Sequence, residues 1–172
     1  MKYPTIEFKK LEESDLLTLH KWLNTTHVIE SYAHKPSTLE EVKSKYNTRI
    51  TGEDPTKSFV VIHDKKPIGY IQKYLVSDDP ELKRHLNGQS VGIDLFIGEP
   101  SLVHKGLGPS IMRAFLKKHV FYENNVESCI VDPLTANVPA IRAYEKTGFK
   151  HFKTTKDHEP KYLMIIYRDE VL

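Results

Sequence analysis

The sequence predicts one α/β domain spanning residues 1–172, a mixed sheet with helices on both faces. Three observations carry this. Segments with strand and helix periodicity follow the order βα(α)ββ, then βαβα, then ββ, which is too mixed for a fully wound parallel sheet. Proline and glycine are scattered singly, with no linker, repeat or low-complexity stretch. The length suits a single core, which usually occupies roughly 100–200 residues.

Tyr3–Lys10 alternates weakly through Ile6 and Phe8 and reads as the first strand. Ser14 or Asp15 caps a helix that carries Leu16, Leu19, Trp22 and Leu23 at helical spacing. Thr38 and Glu41 have capping-box spacing and open a helix through about residue 50. Ser58–His63 is a strand, turned by Asp64-Lys65-Lys66-Pro67 into a second, Ile68–Leu75. Ser77–Gly88 is polar and loop-like. Ser90–Ile97 alternates Val91, Ile93, Leu95 and Ile97 with smaller or polar residues. After a glycine-punctuated loop, a helix runs from about Pro109 through Ile111, Met112, Phe115, Leu116, His119 and Val120. Val126–Asp132 is a strand, and Asn137–Lys146 is a helix closed by Gly148. Phe149–Thr155 and Lys161–Tyr167 complete the sheet, with a turn at Asp157-His158.

Composition narrows the function classes. The 25 basic and 23 acidic residues nearly cancel, so the overall charge points to no nucleic-acid partner. Lys65-Lys66 and Lys117-Lys118 read as solvated surface. No stretch approaches the ~20 apolar residues of a membrane span, and Met1–Pro4 lacks the apolar run of a signal peptide. Cys129 is the only cysteine, so no internal disulfide can form; it reads as a packing residue in a strand. A cytoplasmic location is expected, with a small-molecule partner and no membrane. The nine histidines form no H-E-x-x-H pattern or Cys/His cluster, so no metal is expected. A Gly-x-Ser-x-Gly elbow is also absent.

Val103-His104-Lys105-Gly106-Leu107-Gly108-Pro109-Ser110 follows a strand and opens a helix. Backbone N–H groups at such a junction, backed by the helix dipole, make an anion site, and Lys105 adds a positive charge. A plain strand-to-helix turn gives the same pattern. The Walker ending is missing, and so is the first glycine of a dinucleotide fingerprint.

Two further segments resemble a known family. Asp132-Pro133-Leu134-Thr135-Ala136-Asn137 and Ala140-Ile141-Arg142-Ala143-Tyr144-Glu145-Lys146-Thr147-Gly148-Phe149 look like the closing motif of GNAT acetyltransferases, about thirty residues after a loop similar to that family's pyrophosphate motif. Val103 stands at the motif's Gln/Arg position, which removes one polar side-chain contact and leaves the backbone cradle. Trp22–Glu30, Pro67-Ile68-Gly69-Tyr70-Ile71-Gln72 and Gly92-Ile93-Asp94 are similar to aminoglycoside 6′-N-acetyltransferases, although Ser31-Tyr32 stands where that branch often has a tryptophan pair. The resemblance implies the GNAT fold, with a mostly antiparallel mixed sheet, and acetyl-CoA as cosubstrate. It implies a primary amine as acceptor, favouring the 6′-amine of aminoglycosides, and a monomer or homodimer. A siderophore-pathway or polyamine acyltransferase, and a non-catalytic acyl-CoA-binding module, stand as alternatives.

The site residues follow from chemistry and resemblance together. An alkylamine is mostly protonated at neutral pH, so its proton needs an acceptor. Asp94, mid-strand among apolar residues, is the expected base, directly or through water; otherwise it satisfies backbone at a strand distortion. The Tyr144 phenol is the expected donor to the departing thiolate, or else packs its helix onto the sheet. Residues 103–110 are expected to hold the coenzyme's phosphates. Asn137 either contacts the coenzyme or caps its helix. Asp132 and Asp157 resemble substrate-contacting positions; Asp132 could instead start a turn with Pro133, and Asp157 is equally readable as an exposed turn residue. Asp78, Asp79 and Glu81 offer an acidic wall for a polycation, or a solvated surface. Trp22 and Tyr32 offer aromatic faces for sugars or cations, with core packing the alternative for Trp22.

Overall fold

The computed structural model describes residues 5–76, 80–86 and 88–171. Seven strands form one sheet in the order β1-β2-β3-β4-β5-β7-β6: β1 Ile6–Lys10, β2 Lys57–His63, β3 Lys66–Leu75, β4 Gln89–Ile97, β5 Val126–Val131, β6 Lys150–Thr154 and β7 Tyr162–Tyr167. The β1–β2, β5–β7 and β6–β7 pairs are antiparallel and β4–β5 is parallel, so the sheet is mixed as expected. The helices are α1 Leu16–Leu23, α2 Thr26–Val28, α3 Leu39–Thr51, α4 Pro80–His85, α5 Leu107–Phe115 and α6 Val138–Thr147. Among the described residues, no helix is long and apolar enough to cross a membrane.

The chain forms two compact units, Met1–Gln72 with Asp94–Lys105 and Lys73–Ile93 with Gly106–Leu172. In the first, Leu16, Leu19, Trp22 and Leu23 fall on one face of α1 because their spacing follows the helical repeat. They pack with Val28, Val42, Tyr46, Val60, Tyr70 and Phe96 into one apolar cluster. The start of α3 is set by a reciprocal cap: Glu41 N–H donates to Thr38 Oγ1 at 3.2 Å, and Thr38 N–H donates to Glu41 Oε2 at 2.8 Å. Asp64 and Lys65 both have positive φ, 48° and 65°, as a two-residue type I′ hairpin between β2 and β3 requires.

In the second unit, Ile111, Met112, Phe115, Leu116 and Val120 lie buried along α5 and the wider π turn Leu116–Val120 that continues it. Cys129 is fully buried in β5, the packing position its alternation predicts. Parallel pairing runs from Gln89–Val126 to Gly92–Ile130. Gly92 is required there because the Tyr74 ring covers it: a Cβ would lie 2.4 Å from Tyr74 Cε2.

Two helices depart from the sequence reading. Pro80–His85 is helical inside a stretch read as loop, and Thr26–Ala33 forms α2 followed by a π turn. Both are short, and neither carries enough apolar repeats to reveal a period. Helix α5 begins at Leu107, two residues before Pro109.

Candidate active site

Asp94 lies midway along β4 and is only partly exposed. A carboxylate there needs a donor, and Gln72 of the neighbouring strand provides one: its Nε2 donates to Asp94 Oδ2 at 2.6 Å. The other end of that amide is also engaged. Gln72 Oε1 accepts from Arg49 Nη1 at 2.5 Å and from the Tyr70 hydroxyl at 2.7 Å. Arg49 Nη1 also donates to the Tyr70 oxygen at 3.0 Å, and Ser58 Oγ lies 2.7 Å from it. Arg49 is itself held by Asp54, Nε to Oδ2 at 3.3 Å, with its guanidinium 4.9 Å above the Tyr46 ring. Burial raises the Tyr70 phenol far above its ordinary value, so it stays a donor throughout the physiological range.

Tyr32 belongs to the same cluster. Its ring packs on Phe96 at 4.8 Å between centroids. Burial pushes its phenol well up, and the neighbouring Tyr46, Tyr70 and Asp94 push the same way while Arg49 opposes them. The fold therefore places Tyr32 against the apolar cluster that contains Tyr46, Tyr70 and Phe96. Trp22 is different. It is 2% exposed, its indole Nε1 donates to Glu99 Oε1 at 2.9 Å, and its ring fills the space left by Gly98. That is the core-packing alternative its helical spacing allowed.

In the glycine loop, His104 and Gly106 have φ of 60° and 77°, and Gly106 is the N-cap of α5. His104, Lys105, Gly106 and Ser110 are exposed, while Val103, Leu107, Gly108 and Pro109 are partly so. A Cβ placed on Gly106 meets nothing within 4 Å, which leaves open space beside the first turn of a nine-residue helix. Its backbone N–H groups and dipole suit a phosphate there.

Asn137 caps α6, its side-chain oxygen accepting from Ala140 N–H at 3.3 Å. Tyr144 lies one turn before the C-terminus of α6, its ring edge-on to Phe149 at 5.8 Å. Its carbonyl accepts from both Gly148 and Phe149 at 3.1 Å, which fixes the backbone that carries the phenol. Asp132, just after β5, is ion-paired with Lys161, Nζ to Oδ2 at 2.6 Å. Asp157 is exposed between β6 and β7. Glu81 of α4 pairs with Lys153 at 2.7 Å. Asp78 and Asp79 lie outside the described residues. Among the described residues, no group of three or more His, Cys, Asp or Glu side chains is arranged to hold a metal ion.

Sequence reasoning gave no role to Arg49 or Ser58, and it used Tyr70 and Gln72 only as part of a resemblance. Arg49 sits near the end of a polar helix, where an arginine reads as solvated. Its partners on β3 are more than twenty positions away, so no local period reveals them.

The fold and these positions define an acetyltransferase of the GNAT class. The chain belongs to that family: residues 12–156 match the family described as Acetyltransferase (GNAT) domain. It is 29% identical over 166 residues to aminoglycoside N(6′)-acetyltransferase type 1 of Klebsiella pneumoniae, covering 93% of this chain and 82% of that protein. It also resembles the solved aminoglycoside acetyltransferase AAC(6′)-Ib in complex with coenzyme A and kanamycin, at 28% identity and a TM-score of 0.82 over 96% of each chain. A spermidine N-acetyltransferase from Vibrio cholerae, at 19% identity and a TM-score of 0.77 over 96% of this chain and 97% of that one, shares the fold.

Proposed function

We propose that this protein transfers the acetyl group of acetyl-CoA to the 6′-amine of an aminoglycoside. The observation that carries the reading is Asp94, a carboxylate on β4 whose Oδ2 is held by Gln72 at 2.6 Å. A fixed carboxylate is what a polycationic amine needs, because it binds the ammonium form and receives the proton as the nitrogen becomes nucleophilic. The amine nitrogen attacks the thioester carbonyl, its proton passes to Asp94 directly or through one water, and the C–S bond breaks. The leaving thiolate takes the Tyr144 proton, the nitrogen's second proton returns through water to the phenolate, and Asp94 then releases its proton to solvent, so both groups are restored.

The exposed loop at Gly106 and the N-terminus of α5 would receive the coenzyme's phosphates, with Lys105 adding charge. Asn137 is engaged as a helix cap, so its contribution is to fix the start of the helix that carries Tyr144. Tyr32, packed on Phe96, would offer an aromatic wall for the acceptor sugar. Asp132 and Asp157 would meet the remaining ammonium groups, Asp132 by exchanging Lys161 for substrate. All of these residues belong to one catalytic domain in this reading. The lone buried Cys129 suits a cytoplasmic enzyme, and the resemblance implies a monomer or homodimer.

The relatives named for aminoglycoside acetylation support the acceptor class. The test is thiol release from acetyl-CoA with aminoglycosides that carry or lack a 6′-amine, with polyamines and hydroxylamines alongside. Turnover confined to 6′-amino compounds supports the reading, and turnover on the other amines alone rejects the acceptor assignment.

A further inference from the structure

We infer that Arg49 is a positioning residue for Asp94, acting through the side-chain amide of Gln72. Its kinetic consequence rests on the reading of Asp94 as the amine-binding carboxylate; the structural part of the claim does not.

A glutamine amide is nearly symmetric in shape, so only its partners decide which end points where. A guanidinium has donors and no acceptor. With Arg49 Nη1 at 2.5 Å, the atom facing it must be Oε1. Nε2 is then turned toward Asp94 Oδ2, at 2.6 Å. The reverse orientation would set Oε1 against a carboxylate and an N–H₂ group against a guanidinium, with like partners facing at both ends.

Tyr70 cannot make this choice by itself. Its hydroxyl is able to donate to an amide oxygen or accept from an amide nitrogen. Arg49 removes the ambiguity at Gln72: the guanidinium holds Oε1 on that side, so the phenol proton goes to Oε1 at 2.7 Å while Arg49 Nη1 donates to the Tyr70 oxygen at 3.0 Å. Ser58 then donates to the Tyr70 oxygen across 2.7 Å. Tyr70 is fully buried, which makes an unpaired hydroxyl costly and the arrangement strongly preferred. Arg49 is held in place by Asp54 and by the Tyr46 ring, with its side chain only 10% exposed. Arg49 thus assigns the protons along the path from Asp54 to the Gln72 amide that meets Asp94.

The test uses the full chain with Arg49→Met, Arg49→Lys, Arg49→Gln and Gln72→Ala. The Gln72 side-chain amide is followed by nitrogen–proton NMR, its signal identified by its loss in Gln72→Ala. Arg49→Lys keeps a pure donor, so the displaced, slowly exchanging amide signal should persist. Arg49→Gln presents both a donor and an acceptor, and the signal should broaden or split. In Arg49→Met it should move toward the free-amide position. Should Arg49→Met fail to fold, the lysine and glutamine variants carry the comparison.

With a productive acceptor, Arg49→Met should lower kcat by about 10- to 100-fold, the scale of a misplaced reacting group, with KM for acetyl-CoA unchanged. In a Gln72→Ala background the same substitution should cost less than about 2-fold, because the two act as one unit. A Gln72 signal unchanged in Arg49→Met, or equal kinetic losses in both backgrounds, would overturn the inference. If no amine is acetylated, the acceptor reading fails and the amide signal alone decides the role of Arg49.

Discussion

The two compact units hold their chemistry by different means. Around Asp94, position is set by side chains: five polar residues in a chain of hydrogen bonds, each with its donor and acceptor assigned. Around Tyr144 and along α5, position is set by backbone: an Asn137 cap, carbonyls closed by Gly148 and Phe149, and a helix N-terminus opened by Gly106. The difference suits the tasks. In the proposed reaction the carboxylate must be aimed at a varied polycation, and aiming takes a side-chain network. In the same proposal a pyrophosphate would be met by N–H groups whose direction the helix already fixes. Substitutions in the first unit should therefore be costly and specific, whereas the backbone scaffold of the second should tolerate side-chain change.

The largest effect is expected from Asp94→Asn, which keeps shape and removes the charge. Turnover should fall by about 10³-fold, within the range for a general base, with the melting temperature nearly unchanged. Near-full activity would remove Asp94 from the mechanism. Next comes Gly98→Ala, where the added Cβ would lie 2.2 Å from the Trp22 ring. Overpacking there should cost about 3 kcal/mol in a denaturant titration, so an unaltered midpoint would show that the Trp22 wall yields freely.

Tyr144→Phe removes only a hydroxyl and should lower kcat by about 10²-fold while KM for acetyl-CoA holds. A rise in KM with kcat preserved would instead make the phenol a binding group. The smallest effect is expected at Gly106→Ala. Its Cβ meets open space, so the whole penalty is the positive φ of 77°, about 1 kcal/mol. Coenzyme affinity measured by calorimetry should weaken by no more than about 10-fold, matching that cost. A much larger loss would mean that the phosphate sits where the new methyl would be.

Legibility in the sequence follows the same division. Features fixed by local pattern were readable: the Thr38–Glu41 capping box, the Asn137 cap, the Gly148 terminus, the buried Cys129 and the mixed strand order. Short helices at Thr26–Ala33 and Pro80–His85 were not, because a few residues cannot display a period. Trp22 carried two readings, and its burial against Gly98 settles only where the ring lies. The support behind Asp94 was hidden for a different reason. Arg49 and Gln72 are 23 residues apart, and it takes the packing of α3 against the strands to make them neighbours. Asp94 was visible as an anomaly in an apolar strand, whereas the residues that aim it look ordinary in one dimension.

The central claim is acetyl transfer from acetyl-CoA to a 6′-amine, and a thiol-release assay on matched aminoglycosides tests it most directly. One compound of the pair carries the 6′-amine and the other a hydroxyl at that position. The account predicts stoichiometric thiol release and a single acetylated product with the amine, and background release with the hydroxyl. Equal release with both compounds, or none with the amine while another amine is acetylated, would contradict it.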